Sequence, residues 1–169
     1  VMLAVGLVSL AVFGTSAWLA SRAHEIELAS LVERQALILS DTIRDGTRHA
    51  MLLNERGMVH RIIEQIGRQD GLEKIRVYNK EGEVIYSPDA ALVGTTVDQH
   101  NEACDGCHSD GTSVAELSEG RRTRVFRAEG GDRQLGVITP IPNEPICANA
   151  GCHAHPPQQQ VLGVLDVTV

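Results

Sequence analysis

The spacing of apolar and polar positions divides the chain into three stretches. Positions 1–20 carry no charged side chain, and twenty apolar residues in one helix match the hydrocarbon thickness of a bilayer. Over 21–67 charged and apolar residues alternate at helical spacing. Glu25, Glu33, Arg34, Asp41 and Arg44 are interspersed with Leu28, Leu31, Val32, Leu37, Ile38 and Ile43. Asp45-Gly46 is expected to interrupt or kink this helix, and its second half sets Leu52, Val59, Ile63 and Ile66 on one face. From Glu73 the period shortens to two. Segments 74–79 and 83–87 read as strands around the turn Asn79-Lys80-Glu81-Gly82, and 122–127 and 133–141 as a second pair around Glu129-Gly130-Gly131-Asp132. Pro140, Pro142 and Pro145 are expected to end the fourth strand, and 161–169 makes a fifth, rich in β-branched residues. The predicted class is α+β: an N-terminal transmembrane helix continues into a long helix, followed by one five-stranded antiparallel sheet. The expected divisions are an anchor over 1–20, a helical stalk over 21–70 and a sheet domain over 71–169.

The N-terminal stretch sets an expected compartment. Trp18 stands near its far end, where an indole favours the headgroup zone, and Arg22 and His24 follow. A cleavable signal peptide is the alternative, although its apolar core is usually shorter and Ser21-Arg22-Ala23 makes a poor cleavage site. The expectation is a single-pass inner-membrane anchor with the remainder in the periplasm. The formal net charge of −7 argues against nucleic acid as a partner. Aromatic residues make up only 3% of the chain, so a bulky apolar cofactor would supply volume that the core lacks.

All four cysteines fall in two short motifs, each closed by histidine. Cys104-Asp105-Gly106-Cys107-His108 is the C-x-x-C-H signature of covalent c-type haem attachment. Two thiols one helical turn apart can add to the vinyl groups on one porphyrin edge, which sets the next histidine beneath the iron. The second motif, Cys147 to Cys152-His153, has four residues between its cysteines, and Asn149 and Gly151 tolerate the bulged path this requires. Competing uses are a shared zinc site, which would leave both histidines without a role, two disulfides, or a thiol redox pair, which normally opens a helix in a βαβ setting. The preferred reading is two covalent haems, with His108 and His153 as proximal iron ligands.

Candidates for the distal positions are Met51, Met58, His49 and His60 on the long helix, and His100 and His155 beside the motifs. His155 lies two residues beyond His153, so it suits the other iron or the orientation of His153 better than the opposite side of the same iron. Arg121, Arg122, Arg124 and Arg127 form a basic cluster that could pair with haem propionates or could guard a strand edge. No Ser-His-Asp set or phosphate loop stands out, so the chain itself is read as non-enzymatic.

The run from Ile75 to Ser87, followed by Val93-Gly94, resembles the opening hairpin of Cache/PAS-like extracytoplasmic sensor domains. The run Pro140 to Pro145, then Cys147 to His155 and Leu162 to Asp166, is similar to the end of haem-bearing examples. The resemblance implies an input module of a bacterial transmembrane histidine kinase, diguanylate cyclase or chemoreceptor, with redox state or a diatomic gas as the signal. Pairing of two copies through the long helix is a further expectation. No second span, coiled-coil linker or kinase residues follow before Val169. An electron-transfer cytochrome, relaying electrons between membrane and redox partner proteins, is the alternative. Catalysis at an open haem ranks third.

Overall fold

The computed structural model describes residues 2–97, 117–128, 130–148, 155–156 and 158–169; within the first helix the side chains of 2–4, 7 and 8 lie outside the description. In chain order the elements are α1 (Met2–Leu52), α2 (Arg56–Ile66), β1 (Lys74–Asn79), β2 (Val84–Tyr86), α3 (Glu119–Arg122), β3 (Thr123–Arg127), β4 (Arg133–Pro142), α4 (Pro145–Ala148) and β5 (Val161–Thr168). Two compact units are distinguished, Val1–Gln35 and Ala36–Val169.

The first unit is helical. Thr15 turns its hydroxyl back onto the Ala11 and Val12 carbonyls (2.8 and 3.1 Å), and Arg22 lies 5.3 Å from the Trp18 ring centre. The expected single-pass anchor over 1–20, and with it the inner-membrane and periplasmic placement, is corrected here. Among the described residues no helix is long and apolar enough to cross a membrane.

In the second unit the strands lie in the order β2-β1-β5-β4-β3, every neighbouring pair antiparallel. The C-terminal strand is therefore the centre of the sheet, and β1 and β4 are joined only through it. Alternation decides which side chains each face receives. One face presents Ile75, Val77, Val137, Leu165 and Val167, which pack with Ala36, Leu37 and Ile43 of α1 and Val59 and Ile63 of α2. Burying each such side chain contributes about 1.5–3 kcal/mol. Polar contacts set the register of α1 on β4. Ser40 and Thr139 share a buried hydroxyl–hydroxyl hydrogen bond of 2.7 Å, and Arg122 donates to both Asp41 carboxylate oxygens (3.2 and 2.7 Å) and to Thr139 Oγ1 (2.6 Å).

Both expected hairpins form. Gly82 takes φ +79°, a value that favours glycine, and Asn79 Oδ1 accepts from the Glu81 and Glu83 amides (3.0 and 2.9 Å), closing the first turn. Two expectations are corrected. The helix runs through Asp45-Gly46, where a Gly46 Cβ would meet only open space, and breaks instead at 53–55. There Asn54 adopts φ 54° and the Glu55 amide donates to the Ala50 carbonyl at 2.9 Å. The strand β4 also continues through Pro140 to Pro142. Its pairing with β3 stops at Val137, so the prolines occupy a stretch bonded on one side only, where a missing N–H costs no ladder bond.

Candidate functional site

Cys104, Cys107, His108, His100, Cys152 and His153 lie outside the described residues. The described members of the expected set are Cys147, His155, Met51, Met58, His49 and His60. Three of them meet. Met51, Cys147 and His155 line one cavity of about 190 Å³, with Arg44, Arg48 and Leu162 also in its wall. A second cavity of about 620 Å³ shares Met51, Ile141, His155 and Leu162 and extends past Val59 and Tyr86.

The elements that bring these side chains together are identifiable. Met51 occupies the last turn of α1, just before the break, and packs against the apolar core. Cys147 sits half-buried in α4, its amide donating to the Glu144 carbonyl at 2.8 Å. Asn143 ties the base of the loop between β4 and β5. Its side-chain amide donates to the carbonyls of Pro156 (3.0 Å) and Gln159 (2.8 Å), and its backbone amide to Gln160 (2.9 Å). The Arg48–Glu144 ion pair connects α1 to the start of the same loop. Sequence reading did not single out Asn143, Arg48 or Glu144. An asparagine between prolines at a strand end was the available signal, but its carbonyl partners lie 13 and 16 residues ahead.

The cavity has an apolar wall of Leu52, Ile141 and Leu162 and a charged side made by Arg44, Asp45, Arg48 and Glu144. The hydrogen bond from Arg44 Nε to Asp45 (2.9 Å) raises the Arg44 pKa above its usual value against the opposing effect of burial; Asp41 and Glu144 add to the rise. Arg44 is thus a fixed cation at this wall. The Tyr86 hydroxyl, in the larger cavity, has its pKa raised by burial, partly offset by Arg56.

Met58, His49 and His60 do not line either cavity. The break at 53–55 divides the expected helical faces, so Met51 belongs to α1 and Met58 to α2, and counting seven residues between them no longer places both on one flank. Met58 is exposed, with Arg61 Nη2 3.9 Å from its sulfur; His60 lies 3.4 Å from Glu64, and His49 is exposed. The arginine cluster is divided at the junction of α3, which carries Arg122, and β3, which carries Arg124 and Arg127. Arg122 faces Asp41 on the helix side, Arg124 faces Asp166 on the other, and Arg127 donates to the Gly131 carbonyl at 3.0 Å.

Among the described residues no group of three or more His, Cys, Asp or Glu side chains is arranged to hold a metal ion. The smaller cavity brings together a thiol, a thioether and an imidazole beside an apolar wall, with guanidinium groups on its charged side, the donor types that covalent porphyrin attachment would use. No family model matches the chain, and comparison with curated proteins gives no match.

Proposed function

We propose that this chain is a dihaem c-type domain working as a redox- or gas-responsive input module of a signalling receptor, with haems attached through Cys104 and Cys107 and through Cys147 and Cys152. The observation that carries the reading is the convergence of Met51, Cys147 and His155 on one cavity, from a helix end and a loop that lie far apart in sequence. When bound, haem would supply one-electron redox chemistry and a site for a diatomic ligand.

The chain's residues would divide the work. Cys147 and Cys152 would hold the porphyrin edge, and His153, like His108 in the first motif, would bind the iron next to its cysteine. Met51 is the favoured distal donor for the second motif; His155 orients its neighbours or serves as the competing donor. Leu52, Ile141 and Leu162 exclude water, and Arg44 and Arg48 stand beside the cavity to meet propionates. A sensing role is preferred to electron relay because Met51 sits in the final turn of a 51-residue helix, next to its break. A change in what Met51 contacts would act on the end of that helix and bias a two-state arrangement. Partners of this reading are a redox protein or a small gas, and a second copy through α1.

The test is a reduced-minus-oxidised spectrum, with and without CO, of the haem-loaded chain and its Met51→Leu variant. A c-type spectrum, CO binding at one haem, and a lower reduction potential for that haem in M51L are expected, since a thioether ligand raises the potential. Two irons that ignore both CO and NO would favour electron relay. A chain that takes up zinc instead of haem would end the proposal.

A further inference from the structure

On the face of the sheet opposite α1 and α2, Asp166 of β5 accepts from Arg76 of β1 at 2.5 Å and from Arg124 of β3 at 2.7 Å. The carboxylate is fully buried, and the arginine side chains retain only 16% and 18% exposure. Two cations on one anion leave a net positive charge where uncompensated charge is costly. Three guanidinium donors, Arg76 Nε, Arg124 Nε and Arg124 Nη1, are buried with no hydrogen-bond acceptor among the described residues.

The arginines are held in place by their surroundings. Arg124 lies over Gly136 of β4, where a Cβ would come within 2.7 Å of the guanidinium carbon. The guanidinium carbons stand 5.4 Å (Arg76 over Tyr78) and 5.5 Å (Arg124 over Phe126) from the ring centres beside them. Ile138, with Leu117 and Val164, forms an apolar cluster on the same face.

We propose that Arg76 and Arg124, locked by Asp166, form a binding site for a carboxylate. A planar anion matches the fork of guanidinium N–H groups, and one negative charge balances the cluster, whereas a doubly charged phosphate would overcompensate beside Asp166. The apolar cluster suits the hydrocarbon part of such a ligand. The carboxylate has two possible sources: a free small organic acid, or a porphyrin propionate, which alone rests on the haem reading above.

Titration calorimetry of the full haem-loaded chain with sodium acetate and sodium succinate, against sodium chloride at matched ionic strength, tests the site. Arg124→Lys keeps a cation on Asp166 while removing the spare donors, and Arg76→Lys repeats the test on the other strand. A free-acid site gives saturable binding that each variant weakens at least tenfold. A propionate site gives no uptake of added acid, but each variant shifts the reduction potential of one haem and its propionate modes in resonance Raman spectra. If the protein proves to hold no haem, acid binding alone decides. Acid binding that neither variant weakens overturns the proposal, as does no acid binding together with unchanged haem potentials and spectra.

Discussion

On one face of the sheet Ile75, Val77, Leu165 and Val167 meet Ile43, Val59 and Ile63 in an apolar cluster. On the other, at the neighbouring position of the same central strand, Asp166 is enclosed by Arg76 and Arg124. A step of one residue along β5, from Leu165 or Val167 to Asp166, changes the means of burial from dispersion and water exclusion to paired charge. The difference matters for function. An apolar face tolerates exchange among side chains of similar volume, while a buried ionic cluster is intolerant of losing one member and is a poor way to add net stability. The carboxylate site proposed above would give this cluster a use besides packing.

The largest expected effect follows from that contrast. Asp166→Ala strands two guanidinium groups and should cost about 3–5 kcal/mol in urea unfolding, as expected for breaking a buried pair. A cost under about 1 kcal/mol would show that the arginines find other partners. On the apolar face Ile63→Ala should cost about 2–5 kcal/mol. Unlike D166A, it should leave the binding of added carboxylate unchanged.

At the cavity, Asn143→Ala removes two side-chain hydrogen bonds that close the second motif's loop and should cost about 1–3 kcal/mol. Hydrogen exchange should show lost protection around Gln159 and Gln160, whereas uniform loss of protection would mean that Asn143 supports the whole sheet. The smallest effect concerns pH. Burial raises the Tyr86 pKa, so the neutral phenol is favoured in the fold. That contribution is complete below the unfolded value of about 10 and is lost as pH rises through the higher folded value. Tyr86→Phe should flatten the decline of the urea midpoint above about pH 10 without changing it near neutrality. An unaltered alkaline slope would assign the decline to other groups.

The strands were legible because local signals agree. Alternation sits between turn residues whose geometry is unambiguous, such as Asn79 with Gly82, and Lys74–Asn79 emerges with the expected bounds. The helix break was harder. Gly46 costs little on an open helix surface, about 1 kcal/mol relative to alanine, and the packing of Ile43 and Ala50 on either side holds the helix together. Asn54 was the better signal, because asparagine enters the left-handed region more readily than most residues. The Asp166 cluster could not be read from sequence, since its arginines lie 90 and 42 residues away and only strand order brings them together. Of the cavity, Cys147, Met51 and His155 were named from residue chemistry alone. Their meeting depends on a helix end and an asparagine-tied loop, neither of which has a periodic signature.

The central claim is that the cysteine pairs hold haem. Intact mass of the chain, expressed with a c-type haem attachment system and unfolded in acid, tests it most directly. The account predicts the polypeptide plus two covalently retained haems, with one lost from Cys147→Ser/Cys152→Ser. A mass equal to the bare polypeptide, or two mass units lower for each disulfide, would contradict it.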